Sequence, residues 1–388
     1  MTAATTAALS ATSDETRIDC LKIVHKLGPA FAKRAAEHVD DDNFVAENYA
    51  ALKTARFFSA MVPAEFGGGG ATHGEMCRAL RALAGYCPST ALAVSMHQHL
   101  VAAALFNHRN GRPGAKLLEA VGGKELVAIS TGAADWLASN GSMTKVEGGF
   151  RLDARKIFAS GTPAGAMLVT SAPYEDPKDG WQVLHFPVPF SAEGVSFEEN
   201  WRAMGMRGTG SHTVVFKDVF VPEAAVALRR PRGNFHGVWN IVLTVAMPLI
   251  MSVYTGIAEA AAAIAREKAK GRPDPSTAYL LGEMENALTT AQLAHDSMVA
   301  LANDLDFQPA NEMANAILIR KSIVARAALA TVEKGMEAVG GGSYFRVNRL
   351  EQLLRDVHAA QFHPLPEKKQ QMFTGRMSQG LDPVQALD

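Results

Sequence analysis

The chain has 388 residues, 48% hydrophobic and 20% charged, with a formal net charge of −1. That length exceeds one simple core and calls for two or three packed subdomains. The balanced charge supplies no field for DNA, RNA or an anionic membrane, so neither nucleic acid nor a membrane is an expected partner. Three cysteines, Cys20, Cys77 and Cys87, fit no metal or redox spacing and suit a reducing, cytoplasmic compartment.

Residues 1–13, rich in Ala, Thr and Ser, read as a disordered tail; they lack the basic and apolar regions of a secretory signal. Residues 14–123 read as a helical domain. Apolar positions in 14–39 recur three and four apart behind a Ser13/Asp14 cap, and the loop VPAEFGGGGATHGE follows further on. Residues 79–105 then read as one buried Ala/Leu-rich helix. In 124–230 the texture changes to short runs rich in Val, Phe and Thr, split by Gly, Pro and Asp, which predicts a small antiparallel β domain. Residues 231–388 are helical again. The stretch 237–258 carries no charge but includes Asn240, Thr244, Pro248, Ser252 and Tyr254, so it reads as a helix buried in a bundle rather than a bilayer span. Residues 316–339 form an amphipathic run that stops at Gly340-Gly341-Gly342. A helical–β–helical order predicts an α+β fold.

Several motif-like signals fail their context tests. Glycines 67–70 lack the Lys-Ser/Thr of a phosphate loop, and Gly205, Gly208 and Gly210 precede a strand instead of a helix. His97 and His99, two apart on a helix, face different sides and cannot share one ion, so no metal site is expected. No Gly-x-Ser-x-Gly elbow supports a hydrolase.

Four segments, in order, resemble the acyl-CoA dehydrogenase superfamily: VPAEFGG at 62–68, KIFASG at 156–161, MGMRGTGSHTVVFKDVFVP at 204–222, and the run GGGSYFRVNRLEQLLRD closing on Arg355-Asp356. The resemblance implies a helical N-terminal domain, a central β domain, a C-terminal four-helix bundle and a homotetramer. It also implies FAD or FMN between the β domain and the bundle. Acyl-CoA dehydrogenases need a carboxylate base to take the substrate α proton. In most of the family that glutamate follows Arg-Asp closely; here Pro364 holds its place, with Glu367 three residues on. The other family position for the base falls at Ala246, and Glu259 lies three turns beyond it. The Arg-x-x-Phe-Gly stretch that holds the FAD adenine is missing from GRPDPSTAYLLGEM, and the early β-domain turn keeps Ser130 and Thr131 without a Glu.

These departures match the superfamily's two-component flavin monooxygenases, which act on phenols, dibenzothiophene or sugar amines and take reduced flavin from a separate reductase. Their flavin segment resembles Phe158-x-Ser160-Gly161, and a histidine seven residues after Arg-Asp corresponds to His363. The resemblance assigns the polar chemistry to Ser160 and His363, with His363 titrating near neutrality. It gives His97 a supporting role and packs Phe158 on the flavin ring. Ser130, Thr131, Arg207 and Thr209 are its further cofactor contacts. Read structurally instead, Ser160 and Arg207 shape turns, His97 is a core histidine, His363 ends a helix, and Arg355 pairs with Asp356. Three function classes follow: a monooxygenase acting on a small organic molecule, an acyl-CoA dehydrogenase with a non-standard base, and a non-catalytic flavin-binding relative.

Overall fold

The computed structural model describes residues 17–38, 41–131 and 136–384. The expected tail and the Ser13/Asp14 cap lie outside these. The first described helix, α1 (Cys20–Glu37), is capped by Asp19, whose carboxylate accepts from the Lys22 N–H at 2.9 Å. After α2 (Ala46–Thr54), helix α3 (His73–Tyr86) opens with a capping box in which Thr72 and Glu75 satisfy each other's backbone N–H groups. The single helix expected over 79–105 is in fact two, because α3 ends before α4 (Pro88–Arg109) begins. Pro88 has no N–H to continue α3, but its fixed φ suits the first position of a new helix. Helix α5 (Ala115–Lys124) completes this region.

Among the described residues eight strands follow: β1 (Ala128–Ser130), β2 (Ser142–Val146), β3 (Gly149–Ala159), β4 (Met167–Asp176), β5 (Gly180–Pro189), β6 (Val195–Glu198), β7 (His212–Pro222) and β8 (Leu228–Pro231). Their order is β6-β7-β3-β2-β4-β5-β8, with β1 beside β4. The expected antiparallel domain is therefore a mixed sheet. β1 runs parallel to β4 with Ile129 opposite Leu168, and Met143 of β2 meets Tyr174 of β4 in the parallel sense. The β2–β3 hairpin lies between β1 and β4 in the chain and supplies the long crossover that a parallel pair requires.

Three long helices, α6 (Val238–Ala269), α7 (Pro275–Ala302) and α8 (Asn311–Val339), form the C-terminal bundle. The short helices α9 (Leu350–Val357) and α10 (Glu367–Ser378) pack against α8. The four-helix bundle is thus three long helices with two short ones. In α6, 94% of the apolar window is buried, against α3 and α4 as well as its own bundle. Gly256 permits that approach, since a Cβ there would stand 2.1 Å from the Arg81 carbonyl oxygen on α3. α8 stops at Gly340, whose φ of +79° suits glycine.

One fastening of the β domain to the bundle lies at α9; another packs Arg230 and His185 on the Trp239 ring of α6. The Met206 N–H donates to the Asp356 carboxylate, Arg355 donates to the Met204 carbonyl at 3.2 Å, and a Cβ on Gly205 would lie 2.2 Å from the Arg355 carbonyl oxygen. Arg355 and Asp356 do not pair as expected. Arg355 bonds Glu351 one turn back at 2.8 Å, while Asp356 turns inward to the β-domain loop.

Candidate active site

The site begins where β3 loses its regularity. Lys156 is still directed inward, its buried ammonium donating to the Asn140 carbonyl at 2.8 Å and to Ser139 Oγ at 3.2 Å. Between Lys156 and Ala159 the pairing with β7 slips through a bulge, and Phe158 adopts φ +60°. Such backbone costs a non-glycine residue about 1–3 kcal/mol, and bulges re-aim side chains. The Phe158 ring ends 51% exposed, edge-on to Trp201 with centroids 6.0 Å apart. Beside it stands Ser160, whose Oγ lies 2.8 Å from Ser211 Oγ. Ser211 Oγ lies 2.7 Å from Thr209 Oγ1, which donates to the Met206 carbonyl at 2.9 Å. Since Met206 also holds Asp356, a continuous hydrogen-bonded path links Ser160 to α9.

The remaining expected cofactor contacts fall differently. Thr209 is fully buried, and its hydroxyl is linked to that of Ser160 through Ser211. The Arg207 guanidinium pairs with Asp42 at 2.6 Å and lines a cavity of about 250 Å³ with Arg34, Phe44 and Asp356. Phe158, Ser160 and His363 do not line that cavity, and the Asp42 pair ties Arg207 to the segment between α1 and α2. Thr131 is buried with its hydroxyl donating to Thr170 Oγ1 at 2.7 Å. Ser130 is half-buried at the end of β1, and the turn after Thr131 lies outside the described residues.

His97 is a core histidine. Its Nε2 meets the Phe58 carbonyl at 3.0 Å, and its Nδ1 accepts from the Ala128 N–H at 3.0 Å. Both ring nitrogens are engaged by backbone, and burial pushes the pKa down to about 4. In this position it pins β1 to α4.

His363 follows α9 and meets a group that motif reading missed. Its Nε2 lies 2.6 Å from the hydroxyl of Tyr254, which projects from α6 and is fully buried. Burial raises the phenol pKa well above its usual value, and nearby Asp356 adds to this. The same burial, helped by Lys321 and His99, pushes His363 down to about 3. Both groups are therefore neutral at pH 7. His363 does not titrate near neutrality as expected, because a low-dielectric site with cationic neighbours disfavours the imidazolium. If the phenol donates its proton to Nε2, the neutral ring carries its own proton at Nδ1. Lys321, buried on α8, donates to the Leu365 carbonyl at 3.1 Å and anchors the segment carrying His363. Of the two helix histidines it is His99 that opposes protonation of His363.

Neither family position for a carboxylate base has one: Ala246 is buried in α6, and Pro364 follows His363. The nearby glutamates are committed elsewhere. Glu259 bonds the Arg81 guanidinium through both oxygens and also accepts from Gln292 at 2.7 Å. Glu367 accepts from Gln371 at 3.0 Å and faces Arg326 at 3.9 Å.

Comparison with known proteins agrees with this scaffold. The profile for the acyl-CoA dehydrogenase N-terminal domain matches residues 25–122, and that for the acyl-CoA dehydrogenase C-terminal domain matches residues 249–367. L-evernosamine nitrososynthase from a Micromonospora species is 28% identical over 356 residues, covering 86% of this chain and 83% of its own. YdbM of Bacillus subtilis (strain 168), provisionally named an acyl-CoA dehydrogenase, is also 28% identical, over 88% of this chain and 91% of its own. The crystal structure of KijD3 with FMN and a dTDP-linked 3-amino-4-keto sugar superposes with a TM-score of 0.85 at 26% identity, covering 94% of this chain and 93% of that one. Fold and site define an oxidoreductase scaffold of the flavin-using kind. The chain belongs to the acyl-CoA dehydrogenase superfamily.

The residues present fit the flavin that this family uses. A half-exposed aromatic ring on a bulge offers a platform to a flat heterocycle, and Ser160 beside it would stand at the ring edge.

Proposed function

We propose that this protein is a flavin-dependent monooxygenase acting on a small organic substrate with reduced FMN or FAD, delivered by a separate reductase. The observation that carries the reading is the neutral Tyr254–His363 pair beside Pro364, where a dehydrogenase needs an ionised carboxylate. When bound, reduced flavin supplies two electrons to O₂, so that one oxygen atom enters the substrate and the other leaves as water.

The chain's own residues hold and orient. Phe158 packs on the ring, and Ser160 meets the flavin edge at N5. Ser130 is a further contact from the β1 end. His363, kept neutral and oriented by Tyr254, offers its Nδ1–H to the substrate or to oxygen. Lys321 holds the His363 segment in place, and the apolar face of α6 excludes water. A neutral donor in a dry site protects a reactive oxygen species from loss to bulk protons.

The assembly is a homotetramer in the cytoplasm. Exposed Tyr344, Phe345 and Val347, between α8 and α9, support a subunit contact.

The test supplies reduced FMN or FAD from an unrelated flavin reductase, under ¹⁸O₂, to a panel of amines, phenols and heteroaromatics. One ¹⁸O atom in a product supports the reading. Bleaching of bound oxidised flavin by an acyl-CoA panel, with no labelled product, overturns it in favour of acyl-CoA dehydrogenation.

A further inference from the structure

The hydroxyls behind Ser160 have a countable number of protons. Thr209 Oγ1 lies 2.9 Å from the Met206 carbonyl oxygen, which also receives the Trp201 indole N–H at 3.1 Å and the Thr209 N–H at 3.1 Å. A carbonyl has no proton to give, so Thr209 must donate its own. The 2.7 Å contact between Thr209 and Ser211 then needs the Ser211 proton. The 2.8 Å contact between Ser211 and Ser160 in turn needs the Ser160 proton. Three oxygen–oxygen contacts take three hydroxyl protons, all directed inward. Ser160 is left with lone pairs, and no proton, to present beside Phe158.

We propose that Ser211 and Thr209 lock Ser160 as a hydrogen-bond acceptor, and that this polarity makes the site select reduced over oxidised flavin. The inference rests on the reading above, in which the flavin N5 edge meets Ser160. Reduced flavin carries a proton at N5 and donates it to Ser160. Oxidised flavin carries a lone pair at N5, which faces the Ser160 lone pairs without a proton between them. Ser211 and Thr209 touch no ligand; they are positioning residues that act through Ser160. The asymmetry suits an enzyme that must capture reduced flavin from another protein and release the oxidised form.

The test measures dissociation constants for reduced and oxidised FMN under anaerobic conditions, on the full chain. The wild type binds the reduced form more tightly. In Ser211→Ala the Ser160 proton loses its inward acceptor and turns outward, where it can donate to oxidised N5. The preference for reduced flavin then falls by roughly fivefold or more, the worth of one hydrogen bond, mainly through tighter oxidised binding. Thr209→Val acts in the same direction, because it frees the Ser211 proton for Ser160. Thr209→Ser keeps the chain and the wild-type ratio. Ser160→Ala weakens the reduced form without strengthening the oxidised one. Simple loss of packing weakens both forms alike and leaves the ratio unmoved. The two substitutions lie at different points of the chain, so one that fails to fold leaves the other to decide. A wild-type preference for reduced FMN that Ser211→Ala and Thr209→Val leave intact overturns the inference and spares the flavin reading. Absence of flavin binding to the wild type overturns both.

Discussion

The Tyr254 hydroxyl, 2.6 Å from His363 Nε2, decides what His363 can do. Removing it in Tyr254→Phe leaves Nε2 unpartnered and frees the ring to adopt the wrong tautomer. The expected result is about a tenfold loss of oxygenation rate with flavin affinity within about twofold, read by single-turnover kinetics and flavin titration. Because the His363 pKa is held down to about 3, it contributes no titration limb between pH 5 and 8. The pH–rate profiles of wild type and His363→Asn should therefore run parallel, the variant lower by about a hundredfold. A wild-type limb near 6.5 that vanishes in His363→Asn would show that the histidine titrates after all. Phe158, Ser160 and His363 stood out as candidates because motif order and the spacing after Arg355-Asp356 lie on the linear chain. The surroundings of His97 and His99 did not show there. Periodicity shows that they occupy two faces of one helix, while the partners that decide, Phe58, Ala128 and His363, come from elsewhere in the chain. Tyr254, 109 residues from His363, read only as part of a buried helix.

Helices and loops were read well where local chemistry governs them. The α8 stop at Gly340 and the burial of α6 follow from periodicity and capping. The break at Pro88 was hidden by Ala/Leu-rich sequence on both sides, although proline at a helix start is itself a signal. The parallel β1–β4 pair could not be read, since strand patterns show which face is buried and not which neighbour is paired. Gly205 read as part of a family segment and of a failed nucleotide fingerprint, yet its need is steric. Gly205→Ala forces the 204–206 loop off α9, disturbs the Met206 anchor and is expected to weaken reduced-flavin binding by about tenfold, beyond any shift in thermal midpoint. Gly256→Ala separates α6 from α3 and should cost about 1–3 kcal/mol in denaturant unfolding, as overpacking does. Full stability in that variant would mean that the helices are not in tight contact.

Across the molecule, buried neutral histidines set the response to acid. Burial pushes His97 and His99 to about 4 and His185 and His363 to about 3, all below an unfolded value near 6.5. Below 6.5 the unfolded chain takes up protons that the folded chain refuses, so stability is intact above that pH and is lost as pH falls toward 4. Asp356 opposes this: burial raises it to about 6, so its contribution falls as pH rises from 3.8 to 6. The four histidines outweigh Asp356, so unfolding at pH 5 should take up protons, measurable from the pH dependence of denaturant midpoints. Stability independent of pH from 7 to 5 would mean that these histidines are not buried neutral.

The most direct test of the account loads the protein anaerobically with reduced FMN or FAD, then mixes it with oxygenated buffer under rapid absorbance detection. The account predicts that oxidised-flavin absorbance returns in resolved phases, with a delay absent from free flavin and shortened in His363→Ala. Return in one phase at the rate of free flavin, together with bleaching of the oxidised protein by an acyl-CoA, would contradict it.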